Sequence, residues 1–354
     1  MSRFFSEKYR SLEVYTPGEQ PKDMQYVKLN TNESPFPPSP KAQEFAAKAA
    51  ENLQLYCDPA CTVLTEKFAE VYGIGTDEVL FTNGTDDALN FAFMAFCDES
   101  HPAAFADITY GFYPVFAQLN HVPFTEIPLN DDFTLNVEDY IGINKTIFIA
   151  NPNAPTGIAL PLSEIERILQ SNPDNIVVVD EAYVDFGAES AVRLIHQYDN
   201  LLVTQTFSKS RSLAGGRLGM AIGSAPLIWD LNTIKYSTNP YNVNSMTQAA
   251  GVGTLLDEAY TRENCKTIAE NRAYLTAELE KLGFILTPSV TNFVFAAHPD
   301  YDGGRLYAEL KDRGVLIRHF TKERIKNYNR ITVGTKEQID ILLKNIQEIL
   351  EENA

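Results

Sequence analysis

The sequence predicts an α/β protein with a mainly parallel central sheet covered by helices, followed by a smaller α+β lobe. Short runs in the middle of the chain are apolar at every position, which is typical of strands buried on both faces. A polar cluster and then a helical pattern follow these runs. From about residue 245 onward, longer helical patterns alternate with short strand-like pieces, which indicates a separate lobe.

Length and composition are those of an ordinary globular protein with two domains. The chain has 354 residues, of which 44% are hydrophobic and 21% are charged, and this is enough to bury a large core. We expect an N-terminal arm with part of a small domain over 1–45, and a large ligand-binding domain over 46–245. A linking helix and the small C-terminal domain are expected over 246–354.

Charge and cysteine content argue against several classes of protein. A net charge of −18 disfavours nucleic-acid binding, which needs a basic surface. The chain has no run of about 18 apolar residues, and its start lacks the apolar core of a signal peptide. We therefore expect a cytoplasmic protein with no membrane partner. Cys57 and Cys61 are spaced to share a helix face, but no further ligands lie nearby, so no metal site is expected.

The predicted elements follow in chain order. A proline-rich patch at 34–40 indicates an extended segment that leads into a helix over about 41–53. Five buried strands are predicted at 79–81, 103–106, 146–150, 176–179 and 201–203. The tail is predicted to contain a long helix over about 245–282, strand pieces at 293–295, 315–318 and 330–333, and a closing helix over about 336–352.

Lys209 comes shortly after the fifth strand, in a polar cluster that also contains hydroxyls and a guanidinium. Burial there should lower the pKa of its amine and make it a nucleophile toward aldehydes. Thr206, Ser208 and Arg217 suit an anion such as a phosphate. An aldehyde and a phosphate on one small molecule describe pyridoxal phosphate. The alternative is a solvated lysine at the mouth of a strand with no chemical role.

Other strand ends give weaker indications, and all are expected to meet in one crevice beyond the carboxyl ends of the strands. A carboxylate at Asp180 is poorly hydrated and suits a cationic partner such as a pyridinium nitrogen, or it pairs with or caps a helix. Thr85 and Asp86 begin a helix whose N-terminus favours phosphate, or they only cap it. Tyr110 could stack on an aromatic ring or pack in the core.

Several motifs in register point to one family. The fold-type-I pyridoxal-phosphate aminotransferases have, in this order, motifs that match Asn153-Ala154-Pro155-Thr156-Gly157, Asp180-Glu181-Ala182-Tyr183, and Ser208-Lys209 with Arg217. The chain resembles this family over nearly its whole length. The opening segment 28–35 and the closing segment 329–335 are similar to the family members that act on histidinol phosphate.

The resemblance implies a role for each matching residue. Lys209 would bind the cofactor's aldehyde and move the proton of the substrate Cα, while Asp180 would pair with the ring nitrogen. Tyr183 would contact the ring oxygen and help to keep the pKa of the bound amine low. Tyr110 would stack on the ring. The cofactor's phosphate would be held by Thr85, Asp86, Thr206, Ser208 and Arg217.

The resemblance also implies a homodimer and a substrate site. Tyr56 would reach the phosphate of the partner subunit's cofactor, so that activity requires the dimer. Arg330 would bind the α-carboxylate of glutamate with its planar fork. Arg318 would bind the substrate phosphate and Tyr15 would close over it, with Asn32 also at the substrate. Alternatively, Arg318 forms a surface salt bridge and Tyr15 belongs to an arm without such a role.

One position departs from the family pattern. Two asparagines usually precede the Pro-Thr-Gly segment, and the second bonds the cofactor's ring oxygen, but Ala154 takes that place here. Either Asn153 turns inward as a substitute, or Tyr183 makes the contact alone. The departure affects the assignment of residues rather than the expected reaction.

The expected reaction is transfer of an amino group between L-histidinol phosphate and 2-oxoglutarate, giving imidazole-acetol phosphate and L-glutamate with ping-pong kinetics. A broad aromatic-amino-acid aminotransferase or a threonine-phosphate decarboxylase on the same fold is the alternative. A transcription regulator would need a DNA-binding module and a basic patch, which the chain lacks. A cofactor-storage protein would have no need of Arg330.

Overall fold

The computed structural model describes residues 2–353 and contains two layers of helices around a central sheet, with a second, smaller sheet beside them. Met1 and Ala354, the outer limits of the two predicted terminal domains, lie outside the described residues. The strands are β1 (Val27–Lys28), β2 (Val79–Thr82), β3 (Ala103–Ala106), β4 (Phe124–Ile127), β5 (Thr146–Ala150), β6 (Val177–Asp180), β7 (Leu201–Thr206), β8 (Gly219–Gly223), β9 (Ile285–Leu286), β10 (Phe293–Ala297), β11 (Val315–Leu316), β12 (Arg318–His319) and β13 (Asn329–Thr332).

Ten α-helices lie between and around these strands in the described part of the chain. They are α1 (Pro40–Ala50), α2 (Thr62–Tyr72), α3 (Thr85–Phe96), α4 (Tyr113–Leu119), α5 (Leu162–Ser171), α6 (Ala225–Thr238), α7 (Ser245–Leu255), α8 (Glu258–Lys281), α9 (Gly303–Asp312) and α10 (Lys336–Glu352). Short 3₁₀ turns occur at Glu7–Tyr9, Val137–Tyr140, Val184–Phe186, Ala191–Leu194, Ala214–Gly216 and Glu323–Ile325.

The central sheet has seven strands in the order β2-β8-β7-β6-β5-β3-β4. Its strand pairs are parallel except at β8, which runs antiparallel to both β2 and β7. Residues of β6 alternate between two apolar clusters, because Val177 and Val179 face one layer of helices and Val178 faces the other. The predicted mainly parallel sheet covered by helices is confirmed.

The smaller lobe is built on an antiparallel sheet in the order β12-β13-β10-β9. A separate parallel pair joins β1 to β11, so the N-terminal segment becomes part of this lobe. An apolar cluster made by α8, α9 and α10 packs on these strands, with Leu29 of the N-terminal segment inside it. The lobe therefore brings residues near 30 next to residues near 330.

Some predicted boundaries were wrong. The helix expected over about 245–282 is two helices, since Asp257 has a non-helical backbone between α7 and α8. The strand expected at 315–318 is divided, because β11 pairs with β1 whereas β12 pairs with β13. Strands β4 and β8 were not predicted. β4 is exposed at the sheet edge and β8 contains two glycines, so neither shows a clear run of bulky apolar residues.

The domain limits at 45 and 245 stay a prediction. Ala42 of α1 and Leu255 of α7 belong to the same apolar cluster as the central sheet, and α1 packs along α7. Over residues 2–353, no helix is both long and apolar enough to cross a membrane. Cys57 lies in a loop while Cys61 precedes α2, so the two cysteines do not share a helix face.

Candidate active site

A cavity lies beyond the carboxyl ends of β5, β6 and β7, where ligands bind in open parallel sheets. Its position agrees with the convergence of strand ends expected from the sequence. It is lined by Thr85, Asp86, Leu89, Tyr110, Ala150, Pro152, Ala154, Asp180, Ala182, Tyr183, Thr206, Ser208, Lys209 and Arg217.

Lys209 lies three residues beyond the end of β7, and its side chain reaches toward the N-terminal segment of the smaller lobe. Its Nζ donates to the carbonyl oxygen of Thr31 at 3.1 Å, and no carboxylate forms a salt bridge with it among the described residues. Burial lowers the pKa of Lys209 to about 8, with the positive charge of Arg330 as the next cause. Near neutral pH this amine therefore has a larger unprotonated, nucleophilic fraction than an ordinary lysine.

Asp180 ends β6 on the floor of the cavity and is 5% exposed. Its carboxylate accepts hydrogen bonds from the hydroxyls of Tyr113 at 3.0 Å and Thr204 at 3.3 Å. Burial raises the pKa of Asp180 to about 6, an effect that these two donors oppose. Over residues 2–353 no cationic side chain is paired with it. A buried carboxylate in this state is suited to a positively charged ligand group.

The far end of the cavity is a cradle for an anion. The loop after β2 leads into α3, whose first residues are Thr85 and Asp86, so free backbone N–H groups point outward there. Arg217 approaches Gly84 so closely that an added Cβ would lie 2.5 Å from its Nη2. Gly219 similarly leaves no room for a Cβ against the backbone nitrogen of Thr85. These two glycines therefore allow the guanidinium and the start of the helix to come together.

Arg217 and Tyr110 are both held by Asp86. The guanidinium Nη2 is 3.0 Å from one carboxylate oxygen of Asp86, and the Tyr110 hydroxyl donates to the other at 2.7 Å. On the opposite side, the backbone N–H of Ser208 donates to the Thr206 hydroxyl at 3.1 Å. The structure thus brings together all five residues that were predicted to hold a phosphate.

Tyr183 stands between this cavity and a second, more open one. Its ring lies edge-on to Phe293, with centroids 5.1 Å apart. Its hydroxyl accepts a hydrogen bond from the side-chain amide of Asn32 at 3.0 Å. The second cavity is lined by Asn32, Lys209, Tyr183 and Ala154, and also by Tyr15, Arg318 and Arg330.

Arg330 lies in this second cavity, and within the described part of the chain it has no carboxylate partner. Its Nη2 donates to the carbonyl oxygen of Asn30 at 3.1 Å, while its buried Nε has no partner. Burial lowers the pKa of Arg330 below its ordinary value. A planar guanidinium with unused donors can bind a carboxylate in two places.

Arg318 is held by the N-terminal segment. Its guanidinium donates to the carbonyl oxygens of Thr16 at 3.2 Å and Pro17 at 3.4 Å. Tyr15 lies beside it, with its ring stacked on Phe112 at a centroid distance of 4.0 Å. No salt bridge to Arg318 occurs in residues 2–353, so the alternative of a structural surface ion pair has no support.

Two predicted residues are placed elsewhere. The Asn153 amide is bonded to Thr109, Thr156 and the Ile108 carbonyl, and it lines a neighbouring apolar cavity instead. The structure therefore does not support Asn153 as a substitute for the missing amide at Ala154. Tyr56 is 85% exposed and stacks on Tyr241, outside both cavities of its own chain.

Sequence reasoning missed the residues that support Asp180. Tyr113 is fully buried beneath the cavity floor and reaches the carboxylate from α4, while Thr204 does so from β7. Thr204 could have been found, because it lies two residues before Thr206 and therefore on the same face of the strand. For Tyr113, the sequence gave no indication of this role apart from its position three residues after Tyr110.

Comparison with known proteins identifies the family. The model of the family "aminotransferase class I and II" matches residues 24–346. The chain belongs to this family.

The chain is also similar, over nearly its whole length, to proteins named histidinol-phosphate aminotransferase. A histidinol-phosphate aminotransferase of Brachyspira hyodysenteriae is 46% identical over 353 residues, which cover 99% of this chain and 100% of the relative. One from a Marinomonas species is 50% identical, covering 97% of this chain and 98% of the relative.

Solved structures confirm the fold. The histidinol-phosphate aminotransferase of Sinorhizobium meliloti in complex with pyridoxal-5'-phosphate superposes with a TM-score of 0.90 at 22% identity, covering 100% of this chain and 99% of the other. The L-threonine-O-3-phosphate decarboxylase of Porphyromonas gingivalis has a TM-score of 0.81 at 22% identity, covering 92% of this chain and 99% of the other.

Proposed function

We propose that this protein is a pyridoxal-phosphate-dependent aminotransferase that exchanges an amino group between L-histidinol phosphate and 2-oxoglutarate. The observation that supports this most strongly is the pair of unmatched charges in one cavity. Among residues 2–353, the half-buried Lys209 has no anionic partner and the buried Asp180 has no cationic partner. The names of the full-length relatives supply the substrate.

The residues present fit pyridoxal phosphate. Asp180 is suited to a protonated ring nitrogen, which would return the pKa of this carboxyl toward its ordinary range. Arg217, the hydroxyls of Thr206 and Ser208, and the N–H groups at the start of α3 are suited to the phosphate. Tyr110, held by Asp86, is suited to the ring face.

The bound cofactor supplies an aldehyde for the amine of Lys209 and a ring that withdraws electrons from the substrate Cα. With the cofactor bound, the amine of Lys209 would be the base that removes the proton from the substrate Cα. Its lowered pKa favours this role, because the amine must be unprotonated to act. Asp180 would keep the ring nitrogen protonated, and Tyr183 would donate a hydrogen bond to the ring oxygen.

Two arginines select the substrate. Arg330 binds the α-carboxylate of glutamate with its guanidinium, whose Nε has no partner among the described residues. Arg318 binds the phosphate of histidinol phosphate, which competes with the carbonyl oxygens of Thr16 and Pro17 for the same guanidinium. Asn32 lines the same cavity. Tyr15 lies close enough to cover the bound substrate.

We further propose that the active form is a cytoplasmic homodimer. Tyr56 is exposed on its own subunit, beside Tyr241, and contributes to the cofactor phosphate of the partner. Leu53, Leu55 and Tyr241 are exposed as well, and a group of exposed apolar side chains is typical of a surface that becomes buried on association.

The Lys209 assignment can be tested by borohydride reduction of the protein loaded with pyridoxal phosphate, followed by peptide mapping. We expect one label, on Lys209, and none in Lys209→Ala. The matched control is Lys344→Ala, a change on the exposed face of α10. A label on another lysine would contradict the proposal.

Substrate choice can be tested with Arg318→Gln. We expect kcat/KM for histidinol phosphate to fall about 10- to 100-fold, since a charge-assisted bond to phosphate is lost. Transamination of phenylalanine should change little, and Arg262→Gln on α8 is the control for charge. An equal loss with both substrates, or a preference for phenylalanine in the unmodified protein, would favour the aromatic aminotransferase. Release of CO₂ from threonine phosphate would indicate the decarboxylase.

A further inference from the structure

We propose that Asn32 is a positioning residue, which turns the hydroxyl of Tyr183 so that its hydrogen points into the cofactor cavity. The inference rests on the proposed function, because the hydroxyl acts there on the cofactor's ring oxygen. It assigns to Asn32 a role toward Tyr183 rather than the direct substrate contact expected from the sequence.

The orientation of the Asn32 amide follows from its partners. The hydroxyl of Thr332 accepts the backbone N–H of Asn32 at 2.9 Å and donates to its side-chain oxygen at 3.1 Å. In the reverse orientation the buried Thr332 hydroxyl would have no acceptor among the described residues, which is costly. The amide nitrogen therefore faces Tyr183, and donates to its hydroxyl oxygen at 3.0 Å.

This direction of donation determines what Tyr183 can do. A phenolic hydroxyl has one hydrogen, and because its oxygen already accepts from Asn32, the hydrogen is free to donate elsewhere. The ring is fixed by edge-on packing against Phe293, and it lines the cofactor cavity. The free hydrogen is consequently available to an acceptor on the ligand.

Asn32 is itself rigidly held by the smaller lobe. It is 1% exposed, and its carbonyl oxygen accepts from the Asn292 side chain at 3.0 Å. Its φ of 54° lies in the left-handed region, where asparagine is among the tolerated residues. This conformation places the preceding carbonyl, that of Thr31, on the Lys209 amine. Thr31 and Asn32 thus bond to Lys209 and Tyr183, respectively, and position both side chains.

The orientation of the Tyr183 hydroxyl matters because neither Ala154 nor Asn153 can replace it as a donor to the ring oxygen. Ala154 lines the cavity with a methyl group, which cannot donate a hydrogen bond, and the amide of Asn153 is bonded elsewhere. Donation to the ring oxygen therefore falls to Tyr183, and its direction depends on Asn32.

The decisive variant is Asn32→Gly, since glycine accepts the left-handed backbone and removes only the amide. In protein loaded with pyridoxal phosphate, we expect the pH midpoint of the cofactor's visible absorption to rise by about one unit, a tenfold change in the equilibrium. Thr332→Val, which leaves position 32 unchanged but frees its amide, should shift the midpoint in the same direction by less. Asn264→Ala is the control, because this buried amide on α8 lines neither cavity.

A double variant separates positioning from a direct contact. Tyr183→Phe should raise the midpoint, and adding Asn32→Gly to it should produce no further shift. An unchanged midpoint in Asn32→Gly, or the same shift with and without Tyr183, would overturn the inference. If the unmodified protein bound no pyridoxal phosphate, the proposed function itself would fail, so the two failures are distinguishable. The melting temperature of the cofactor-free variants reports any loss of folding independently.

Discussion

Replacement of Asp180 by asparagine should stabilise the cofactor-free protein while it weakens cofactor binding. Asp180 is almost completely buried, and the side chains that bond to it are the neutral hydroxyls of Tyr113 and Thr204. In the cofactor-free protein near neutral pH, no cation in residues 2–353 therefore compensates its negative charge. Asparagine has nearly the same shape and no charge.

The magnitude follows from the shift in pKa. The carboxyl titrates at about 6 in the folded protein against an ordinary value of 3.8, and each pKa unit corresponds to about 1.4 kcal/mol. Ionisation of Asp180 should therefore cost the folded state about 3 kcal/mol above pH 6. The amide forfeits part of the hydrogen bonding from the two hydroxyls, about 1 kcal/mol. The net gain in the free energy of unfolding should be about 2 kcal/mol.

The sign of the pH dependence is fixed by the same shift. Because the folded-state pKa is raised, the folded protein binds the proton more tightly, and stability falls as pH rises from about 4 to about 6. Denaturant unfolding of both cofactor-free proteins should show this difference in the free energy of unfolding near neutral pH. The difference should disappear near pH 4. With pyridoxal phosphate present the order should reverse, since the variant has lost the partner of the ring nitrogen.

Asp131→Asn, in an exposed loop without side-chain bonds, is the matched control and should change stability little at either pH. A cofactor-free Asp180→Asn protein that was less stable than the unmodified one near neutral pH would refute the reasoning. So would a gap of the same size at pH 4 and pH 7, because the effect would then not come from ionisation.

Three further results are expected from the geometry of the site. Rapid-mixing absorbance should show pyridoxal phosphate binding faster as pH rises through about 8, because burial lowers the pKa of Lys209 to that value. Gly219→Ala should weaken cofactor affinity about tenfold or more, measured by titration, since its Cβ would overlap the start of α3; Gly215→Ala, with open space around it, is the control. Arg330→Lys should raise KM for glutamate at least about tenfold, since an ammonium cannot match the two-point contact of a guanidinium; unchanged steady-state kinetics would exclude Arg330 from the carboxylate site.

The fold and much of the site could be predicted because the information is local. Five strands consist of short apolar runs, and a residue just after such a run must lie at the rim of a parallel sheet. Asp180, Thr206 and Lys209 were placed by this rule alone. The family resemblance was needed for Arg330 and Arg318, because nothing near them in the sequence marks a ligand site.

What could not be predicted depends on contacts between distant segments. The bond from Asn32 to Tyr183 spans 151 positions, and that from Asn32 to Thr332 spans 300. The contacts of Asn153 could not be predicted, because its neighbours in space, Thr109 and Ile108, come from another strand end. β8 was not predicted because it runs antiparallel to β7 and is joined to it without an intervening α-helix. The pattern of apolar run, polar cluster and helix that marked the parallel strands is therefore missing here.

The antiparallel course of β8 has a consequence for how ligand binding and local opening are linked. β7 leaves the sheet at the rim and β8 re-enters it there, so the stretch between them supplies Ser208, Lys209 and Arg217 from one hairpin. A ligand that is attached to Lys209 through its aldehyde, and bound by Ser208 and Arg217 through its phosphate, would hold this hairpin closed. Amide hydrogen exchange over 201–223 should then slow as one cooperative unit on loading, while distant α10 exchanges at its former rate.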